Sequence, residues 1–186
     1  HLSIRRQRQM CIRDRYKNVY GKEDTLVTIQ IDMLLAEKFG MYYIDENGEK
    51  KLPYIIHRTS MGCYERTLAY LIEEFAGALP VWMAPEQVRF LPVTDRACDY
   101  CADLARQLSD LGYRVEVDHR NEKIGKKIRE ATMEKIPYMI VVGDRDMENN
   151  TVSVRLRTGE DLGAMPMADF IAKLKAVVDS KSLELN

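Results

Sequence analysis

A glycine and an arginine that follow a predicted apolar strand are well placed to bind a phosphate-bearing ligand. Residues 52–57 form the predicted strand, Gly62 lies in the turn after it, and Arg66 lies in the first turn of a predicted amphipathic helix. A glycine allows the backbone to approach a ligand closely. An arginine near a helix start can contact phosphate or stack on a base. Any strand–glycine–helix unit has the same appearance, so an ordinary structural turn is an equally open interpretation.

A second set of chemistry-bearing residues surrounds a predicted basic helix at residues 121–135, whose predicted N-cap is Asn121. The cations of the segment are Arg120, Lys123, Lys126, Lys127 and Arg129. Backbone N–H groups at a helix start favour phosphate, and guanidinium groups such as those of Arg155 and Arg157 can stack on unpaired bases. The pattern favours a surface for single-stranded RNA, with a solvated charged face as the alternative.

Cys98 and Cys101 form a Cys-x-x-Cys pair near the start of a predicted helix, which allows a redox or metal-binding interpretation. The sequence has no second pair to complete a zinc ribbon, so thiols in or near a core are the favoured interpretation. The four cysteines suggest no disulfide framework, which predicts a reducing, cytoplasmic location.

Composition limits the partners that the chain could bind. The net charge of the 186 residues is −1, so a nucleic-acid site must be a local patch. No apolar run is long enough to cross a bilayer, which predicts no membrane partner.

Two domains are predicted, at residues 16–80 and 81–186, because a glycine and two prolines interrupt the pattern between residues 77 and 85. The strands predicted in the first domain are residues 25–32, 41–44 and 52–57. Asn47-Gly48 is a strong hairpin signal, so the last two strands are predicted to be antiparallel neighbours.

The second domain is predicted to be α/β because strands alternate with helices. Its predicted strands are residues 88–93, 113–117, 138–142 and 152–156, and its predicted helices are residues 95–111, 121–135 and 167–178. The sheet is expected to be parallel in its early strands and antiparallel at the late hairpin.

Residues 1–15 are arginine-rich and show neither a helix nor a strand period. A basic RNA-binding arm and a transit-like leader are possible interpretations. The favoured hypothesis is a non-native leader.

Residues 53–66 resemble motif 3 of the class II aminoacyl-tRNA synthetases, and most closely that of the threonyl-tRNA synthetase family. The resemblance extends from residue 16 to about residue 178 and includes the segments 28–32, 82–85, 120–129 and 137–143. It implies the end of an antiparallel-sheet catalytic core, followed by an α/β anticodon-binding domain with a mixed sheet and about three helices.

The resemblance implies roles for the first domain in threonine activation with ATP and Mg²⁺. Arg66 is the implied catalytic residue and holds ATP, while Gly62 forms the floor of the ATP pocket. Thr28 and Gln30 match the strand that lines the threonine and adenylate pocket. Cys63 occupies a position where many relatives have serine, and a thiol is the weaker hydrogen-bonding group.

His57 is, by the same resemblance, one of three ligands of a zinc ion that selects the threonine hydroxyl group. The other two ligands are expected upstream of the first residue given, together with motifs 1 and 2 of the family. We therefore expect no tight zinc binding and no threonyl-adenylate formation by the isolated chain.

The resemblance also implies a tRNA anticodon surface. Its matching residues are Asn121, Lys123, Lys127, Arg129, Asp146 and Arg155. Asp146 stands where relatives usually have glutamate. The implied partners are tRNA, threonine, ATP and a second copy in a homodimer. The alternative function is a non-catalytic RNA-binding accessory module built on the same domain.

Overall fold

The computed structural model describes residues 9–59 and 62–185, and the side chains among them from residue 15 onward. The chain divides into two compact units, His1–Glu74 and Phe75–Asn186. The predicted domain boundary lies six residues further along, after residue 80. Within the described part of the chain, none of the helices has the length and apolar character needed to cross a bilayer.

The first unit contains a three-stranded antiparallel sheet of order β1-β2-β5. Its elements are β1 (Gln9–Lys17), β2 (Glu23–Asp32), α1 (Leu35–Lys38), β3 (Tyr43–Ile44), β4 (Lys50–Lys51), β5 (Ile55–Thr59) and α2 (Tyr64–Glu74). Tyr70 of α2 contacts Tyr16 of β1, with ring centroids 4.2 Å apart. This contact places the middle of α2 beside the sheet that carries the predicted pocket residues.

Two sequence expectations for the first unit are wrong. Residues 9–15 belong to β1, which pairs with β2 as far as Asp32, although no strand period is visible there. Their backbone pairs despite the polar sequence, because an antiparallel ladder is formed by main-chain groups. Residues 1–8 lie outside the described residues, so the hypothesis of a non-native leader stays a prediction.

The second wrong expectation concerns the hairpin around Asn47-Gly48. The turn is present, since β3 pairs with β4 and Gly48 has a φ of +79°. However, the strand that follows, β5, pairs with β2 and not with β3. The turn residues therefore specify a short local hairpin, and the longer strand forms the long-range pair.

The second unit is a mixed α/β fold, which confirms the predicted class. Its elements are β6 (Val88–Pro92), α3 (Ala97–Asp110), β7 (Val115–Val117), α4 (Ile124–Met133), β8 (Tyr138–Val142), α5 (Asp144–Asn149), β9 (Thr151–Leu156), β10 (Asp161–Pro166) and α6 (Met167–Asp179). The sheet has the order β10-β9-β8-β6-β7, parallel from β7 to β8 and antiparallel beyond. About three helices are expected and four are present in the described part, because α5 is short and lacks an apolar stripe.

The two faces of this sheet are packed differently. On one face, α3 and α6 cover Val88, Phe90, Tyr138 and Ile140 in the main core. On the other face, α4 covers a smaller cluster that includes Leu91 and Met139. Burying each large apolar side chain contributes roughly 1.5–3 kcal/mol to stability. The main core, which has more buried side chains, therefore contributes most of the stability that the second unit gains from apolar burial.

Side chains of β9 continue the α4 face of the sheet. Val152, Val154 and Leu156 point into the main core, and the alternate residues Thr151, Ser153 and Arg155 are half-buried. We call these three residues the β9 row. Arg155 pairs with Met139 across the ladder, which places the row one strand beyond the cluster under α4.

The segment 76–85, here called the connector, is held by long polar side chains of the second unit. Arg157 donates to the carbonyl oxygens of Ala78 (2.9 Å) and Leu79 (2.7 Å), and Lys135 donates to that of Ala76. Arg114 donates to the oxygens of Trp82 (3.1 Å) and Ala84 (2.8 Å), and Gln87 to that of Val81 (3.0 Å). These bonds satisfy backbone acceptors in a stretch that lacks regular structure.

Candidate functional site

Gly62 and Arg66 tie the start of α2 to β2. Gly62 has a φ of +67°, and a Cβ atom there would lie 2.6 Å from the carbonyl oxygen of Leu26. Arg66 donates from Nη1 to the carbonyl oxygen of Thr25 at 3.2 Å. The glycine is therefore required by contact with the protein's own backbone. The exposed Arg66 side chain keeps further N–H donors for a ligand.

Thr28, Gln30 and His57 lie on one face of the β2–β5 ladder. Thr28 is opposite Thr59, and their hydroxyl oxygens are 3.2 Å apart. Gln30 is opposite His57, two residues along each strand. Paired residues of an antiparallel ladder share a face, as do residues two apart. The structure thus brings these three predicted residues together, while Cys63 is exposed at the start of α2.

The donors around His57 do not fit a zinc ion by themselves. His57 is exposed on β5, and no group of three His, Cys, Asp or Glu side chains suited to a metal occurs among the described residues. Catalytic zinc needs three protein ligands. The nearby carboxylate of Asp32 accepts from the amides of Leu34 (2.8 Å) and Leu35 (2.9 Å), and these bonds lower its pKa.

The predicted RNA contact at Lys127 is contradicted by the structure. Lys127 is only 4% exposed, and its Nζ donates to the carbonyl oxygens of Pro92 (3.2 Å) and Asp118 (3.0 Å). Its position on α4, three residues after Ile124, directs the ammonium group towards the ends of β6 and β7. Lys127 is therefore a structural residue.

The N-terminus of α4 also differs from the prediction. The helix begins at Ile124 with Lys123 as the N-cap residue, and no side-chain cap hydrogen bond is formed. Asn121 lies two residues earlier and is exposed. The predicted N-cap role of Asn121 is wrong, because the backbone is still extended at Lys123 and the helix begins only after it. Both side chains are at the surface, as an RNA contact would need.

Arg120 belongs to an ion-pair network. Its guanidinium donates to both carboxylate oxygens of Asp118 (2.9 and 2.6 Å) and pairs with Glu130 at 2.7 Å. Hydrogen bonds from Arg120 lower the pKa of the Asp118 carboxyl to about 2. Lys126 pairs with Glu122 at 2.5 Å. The basic segment therefore presents less positive charge than its sequence indicates.

Arg129 is an exposed cation of α4 on the flank of the helix towards β8. Glu130 lies on the β7 flank, where it pairs with Arg120, while Thr132 contacts Met139 of β8 (Oγ1 to Sδ, 3.6 Å). Residues three apart lie on the same side of a helix, so Arg129 shares the flank of Thr132. In the described part of the chain Arg129 has no ion-pair partner.

Asp146 is tied to the β9 row. Its Oδ2 accepts from the amide of Gly143 at 2.9 Å, which caps α5. Its Oδ1 accepts from the hydroxyl groups of Ser153 (3.0 Å) and Thr151 (3.5 Å). At the other end of the row, Arg155 Nη2 donates to Asp161 Oδ2 at 2.7 Å. The structure therefore brings Arg129, Asp146 and Arg155 to one face of the sheet.

Sequence reasoning missed three residues of this face: Thr151, Ser153 and Asp161. The alternation of Thr, Ser and Arg with buried Val and Leu in β9 is a signal that could have identified the row. Asp161 lies across the hairpin from Arg155, and only the register of β9 and β10 reveals that pairing. Arg157, which was grouped with Arg155, is directed to the connector instead.

A cleft of about 530 Å³ lies beside β7, and Arg120 is the residue of the predicted basic segment that lines it. Its lining residues are Arg89, Glu116, Val117, Asp118, His119, Arg120 and Glu134. Arg89 is paired with Glu86 (2.5 Å) and Glu134 (2.7 Å). Because its arginines are neutralised by carboxylates, the cleft is a poor anion site.

Cys98 and Cys101 do not form a reactive pair in this structure. Cys101 is fully buried in the main core, where burial raises the pKa of its thiol to about 12. Cys98 is half-buried, and its Sγ lies 4.0 Å from the carbonyl oxygen of Thr94. A nucleophilic cysteine needs an accessible thiolate.

We expect a thiol reagent at pH 8 to modify the native chain at Cys63 and to leave Cys101 unmodified. Cys63 is exposed, whereas Cys101 is buried and its thiol stays protonated. Peptide mapping by mass spectrometry after brief labelling would locate the modified residues. The Cys63→Ser variant should lose the fast modification that maps to the peptide around residue 63. Rapid labelling of Cys101 in the folded chain would contradict the buried position.

Two family models match the chain. Residues 13–75 match the tRNA synthetase class II core domain (G, H, P, S and T), and residues 87–177 match the anticodon binding domain. Similarity between a sequence segment and a domain model indicates a shared fold for that segment. The two matches correspond to the two units seen in the structure.

Threonine–tRNA ligases are among the similar proteins. The one from Clostridium perfringens (strain 13 / Type A) is 60% identical over 86% of this chain and 25% of its own length. The one from Marinobacter nauticus is 48% identical over 89% of this chain and 26% of its own length. A crystal structure of the RNA binding domain of threonyl-tRNA synthetase from Cryptosporidium parvum Iowa II matches with a TM-score of 0.75 and 29% identity, over 90% of this chain and 42% of that one. The chain thus spans about a quarter of the length of the curated relatives it matches.

Proposed function

Because this chain belongs to the threonyl-tRNA synthetase family, we propose that its second unit binds tRNA through the anticodon on the face formed by α4, Asp146 and the β9 row. The observation that carries the proposal is the position of Arg129, Asp146 and Arg155 on that one face. These residues come from three separate elements, and the fold brings them together.

The chemistry of the face suits unpaired bases. Anticodon bases are splayed out of a helix, so their edges are open to hydrogen bonds and their planes to stacking. Arg129 and Arg155 supply planar donors, and Asp146 supplies acceptor oxygens. Asn121 and Lys123 lie at the exposed start of α4, where they and the helix dipole favour the RNA backbone. Lys127 has no place in this proposal, because its ammonium group is buried.

We expect Arg129→Ala and Arg155→Ala each to weaken binding of the full chain to a threonine-tRNA anticodon hairpin by about 1–3 kcal/mol. Each substitution removes a guanidinium group that can contact a base or stack on it. Fluorescence anisotropy with a labelled hairpin at fixed salt would measure the dissociation constants. Arg106→Ala is the matched control, since Arg106 is exposed on α3, on the opposite face of the sheet.

The same hairpin with altered anticodon bases separates specific from nonspecific binding. The proposal requires wild-type affinity to fall when the anticodon changes and the two variants to lose that difference. Equal affinity for unrelated hairpins would show that the face is a nonspecific basic patch, whose affinity depends on salt and not on the base sequence.

For the first unit, the proposal is a contribution to the threonine and ATP site of a threonine–tRNA ligase. The face shared by Thr28, Gln30 and His57 would line the amino-acid pocket, and Arg66 would hold ATP, which the family uses with Mg²⁺. His57 is proposed as one ligand of a zinc ion whose other ligands are not among the described residues. Catalysis of this kind relies on positioning and charge stabilisation. Homodimerisation and a cytoplasmic location belong to the same proposal and rest on the family resemblance.

A further inference from the structure

The guanidinium group of Arg155 is held by a carboxylate on the neighbouring strand. Arg155 and Asp161 are direct partners in the β9–β10 register, and Nη2 donates to Oδ2 at 2.7 Å. The two side chains are 43% and 45% exposed, so bound RNA could reach both. Pairs this exposed contribute little to stability, so the contact calls for a different explanation.

Asp161 is itself fixed by a backbone irregularity. The ladder shifts register between Asp161 and Gly163, and the amide of Gly163 donates to Asp161 Oδ1 at 2.9 Å. Gly163 has a φ of +78°, a conformation that favours glycine. Bulges of this kind redirect a side chain near a site. The bulge therefore orients one carboxylate oxygen inward to the backbone and the other towards Arg155.

One flank of Arg155 is thereby fixed while other donors stay available. A guanidinium group carries five N–H donors in a rigid plane, and the bond to Asp161 uses one nitrogen. A long flexible side chain loses rotamer entropy when it binds, and fixing it beforehand reduces that loss. The arrangement suits selective contact with a base more than loose contact with phosphate.

We propose that Asp161 is a positioning residue for anticodon recognition: it holds the Arg155 guanidinium in the orientation that distinguishes one anticodon base from the others. This inference rests on the proposed anticodon-binding function and adds to it a specificity-determining residue. Asp161 acts through Arg155 and need not touch the RNA.

The opposing possibility is that Asp161 merely competes with RNA for Arg155. The two roles predict different results when the charge of Asp161 is removed. A competing anion would, once neutralised, allow tighter binding with undiminished selectivity. A positioning residue would, once neutralised, allow unchanged or tighter binding to wrong sequences and lose selectivity for the right one.

The test compares the wild-type full chain with Asp161→Asn, Arg155→Ala and the double variant. Each would be titrated with the threonine-tRNA anticodon hairpin and with hairpins changed at each anticodon base. Asp161→Asn should lower discrimination at one base about tenfold, since one bidentate arginine contact is worth this order of selectivity. The double variant should discriminate no worse than Arg155→Ala, because the effect of Asp161 passes through Arg155.

Two further variants test whether the effect is specific to Asp161 and to the bulge that orients it. Asp179→Asn removes the same charge on α6, where Asp179 pairs with Lys175 at 2.7 Å, and should behave as the wild type. Gly163→Ala disturbs the bulge while Asp161 remains, and should lower discrimination at the same base. Thermal melts of all variants would confirm that the second unit is folded.

The outcomes are distinct. A wild-type chain without discrimination would overturn the proposed function itself. A discriminating wild type with Asp161→Asn equally selective would overturn the positioning role while leaving the proposed function in place. A loss of discrimination that persists in the Arg155→Ala background would also overturn it, because Asp161 would then act independently of Arg155.

Discussion

Lys127→Ala is expected to lower the free energy of unfolding of the second unit by about 3 kcal/mol. The substitution leaves the carbonyl oxygens of Pro92 and Asp118 without their lysine donor and opens a cavity under α4. Urea denaturation followed by circular dichroism would measure the change.

Lys127→Met separates packing from hydrogen bonding. Methionine fills much of the lysine volume but donates no hydrogen bond, so its loss of stability should be smaller than that of alanine. At a temperature where both variants are folded, their affinity for an anticodon hairpin should match that of the wild type. A folded Lys127→Met chain with strongly reduced RNA affinity would restore the predicted contact between Lys127 and RNA.

Arg157→Ala is also expected to lower the free energy of unfolding of the second unit by about 3 kcal/mol. The connector should become locally mobile in this variant. The variant removes hydrogen bonds to Ala78, Leu79 and Lys135, whose carbonyl oxygens lie 2.9, 2.7 and 3.3 Å from the guanidinium nitrogens. Burial lowers the pKa of Arg157, yet these acceptors keep the charged group in place. Denaturation would give the stability change, and limited proteolysis with mass spectrometry would detect new cleavage between residues 76 and 80.

The conservative variant Arg157→Lys should show an intermediate effect, because one ammonium group cannot reproduce the planar fork that reaches several carbonyl oxygens. Arg106→Ala again serves as the control, since an exposed pair with Asp103 should change stability by no more than about 0.5 kcal/mol. Arg157→Ala with wild-type stability and an intact connector would show that these hydrogen bonds are dispensable.

Regular patterns made the second unit predictable from sequence. The continuous apolar run at residues 138–142 is the central strand β8, and the apolar positions around Cys101 and Leu108 identify α3. These elements have buried positions at regular intervals, so the spacing of apolar residues in the sequence predicts both the element and its buried face. The order of parallel and antiparallel strands followed from the alternation of strands with helices and from the late hairpin.

The candidate site was less predictable, because the identity of a charged residue does not show whether its side chain is directed to solvent or to the protein interior. Lys127 and Arg129 are two positions apart on the same basic helix, yet one is buried and the other exposed. Arg155 and Arg157 are also two apart, and a turn after β9 separates their directions. The pairing of Arg155 with Asp161 depends on a bulge that shifts the register by a single residue. The sequence feature that accompanies this bulge is one glycine, Gly163, which does not predict the shift by itself.

The way the connector is held has a practical consequence for dissecting the molecule. A recombinant fragment that began at residue 81, where the prolines and glycine suggest a cut, would lack the carbonyl oxygens of Ala76, Ala78 and Leu79. Lys135 would lose the oxygen of Ala76, and Arg157 would keep only that of Lys135 among its carbonyl partners. A fragment that starts at Phe75 retains these acceptors. For expression of the second unit alone, a start at Phe75 is therefore preferable to a start at residue 81, where the prolines and glycine place the boundary.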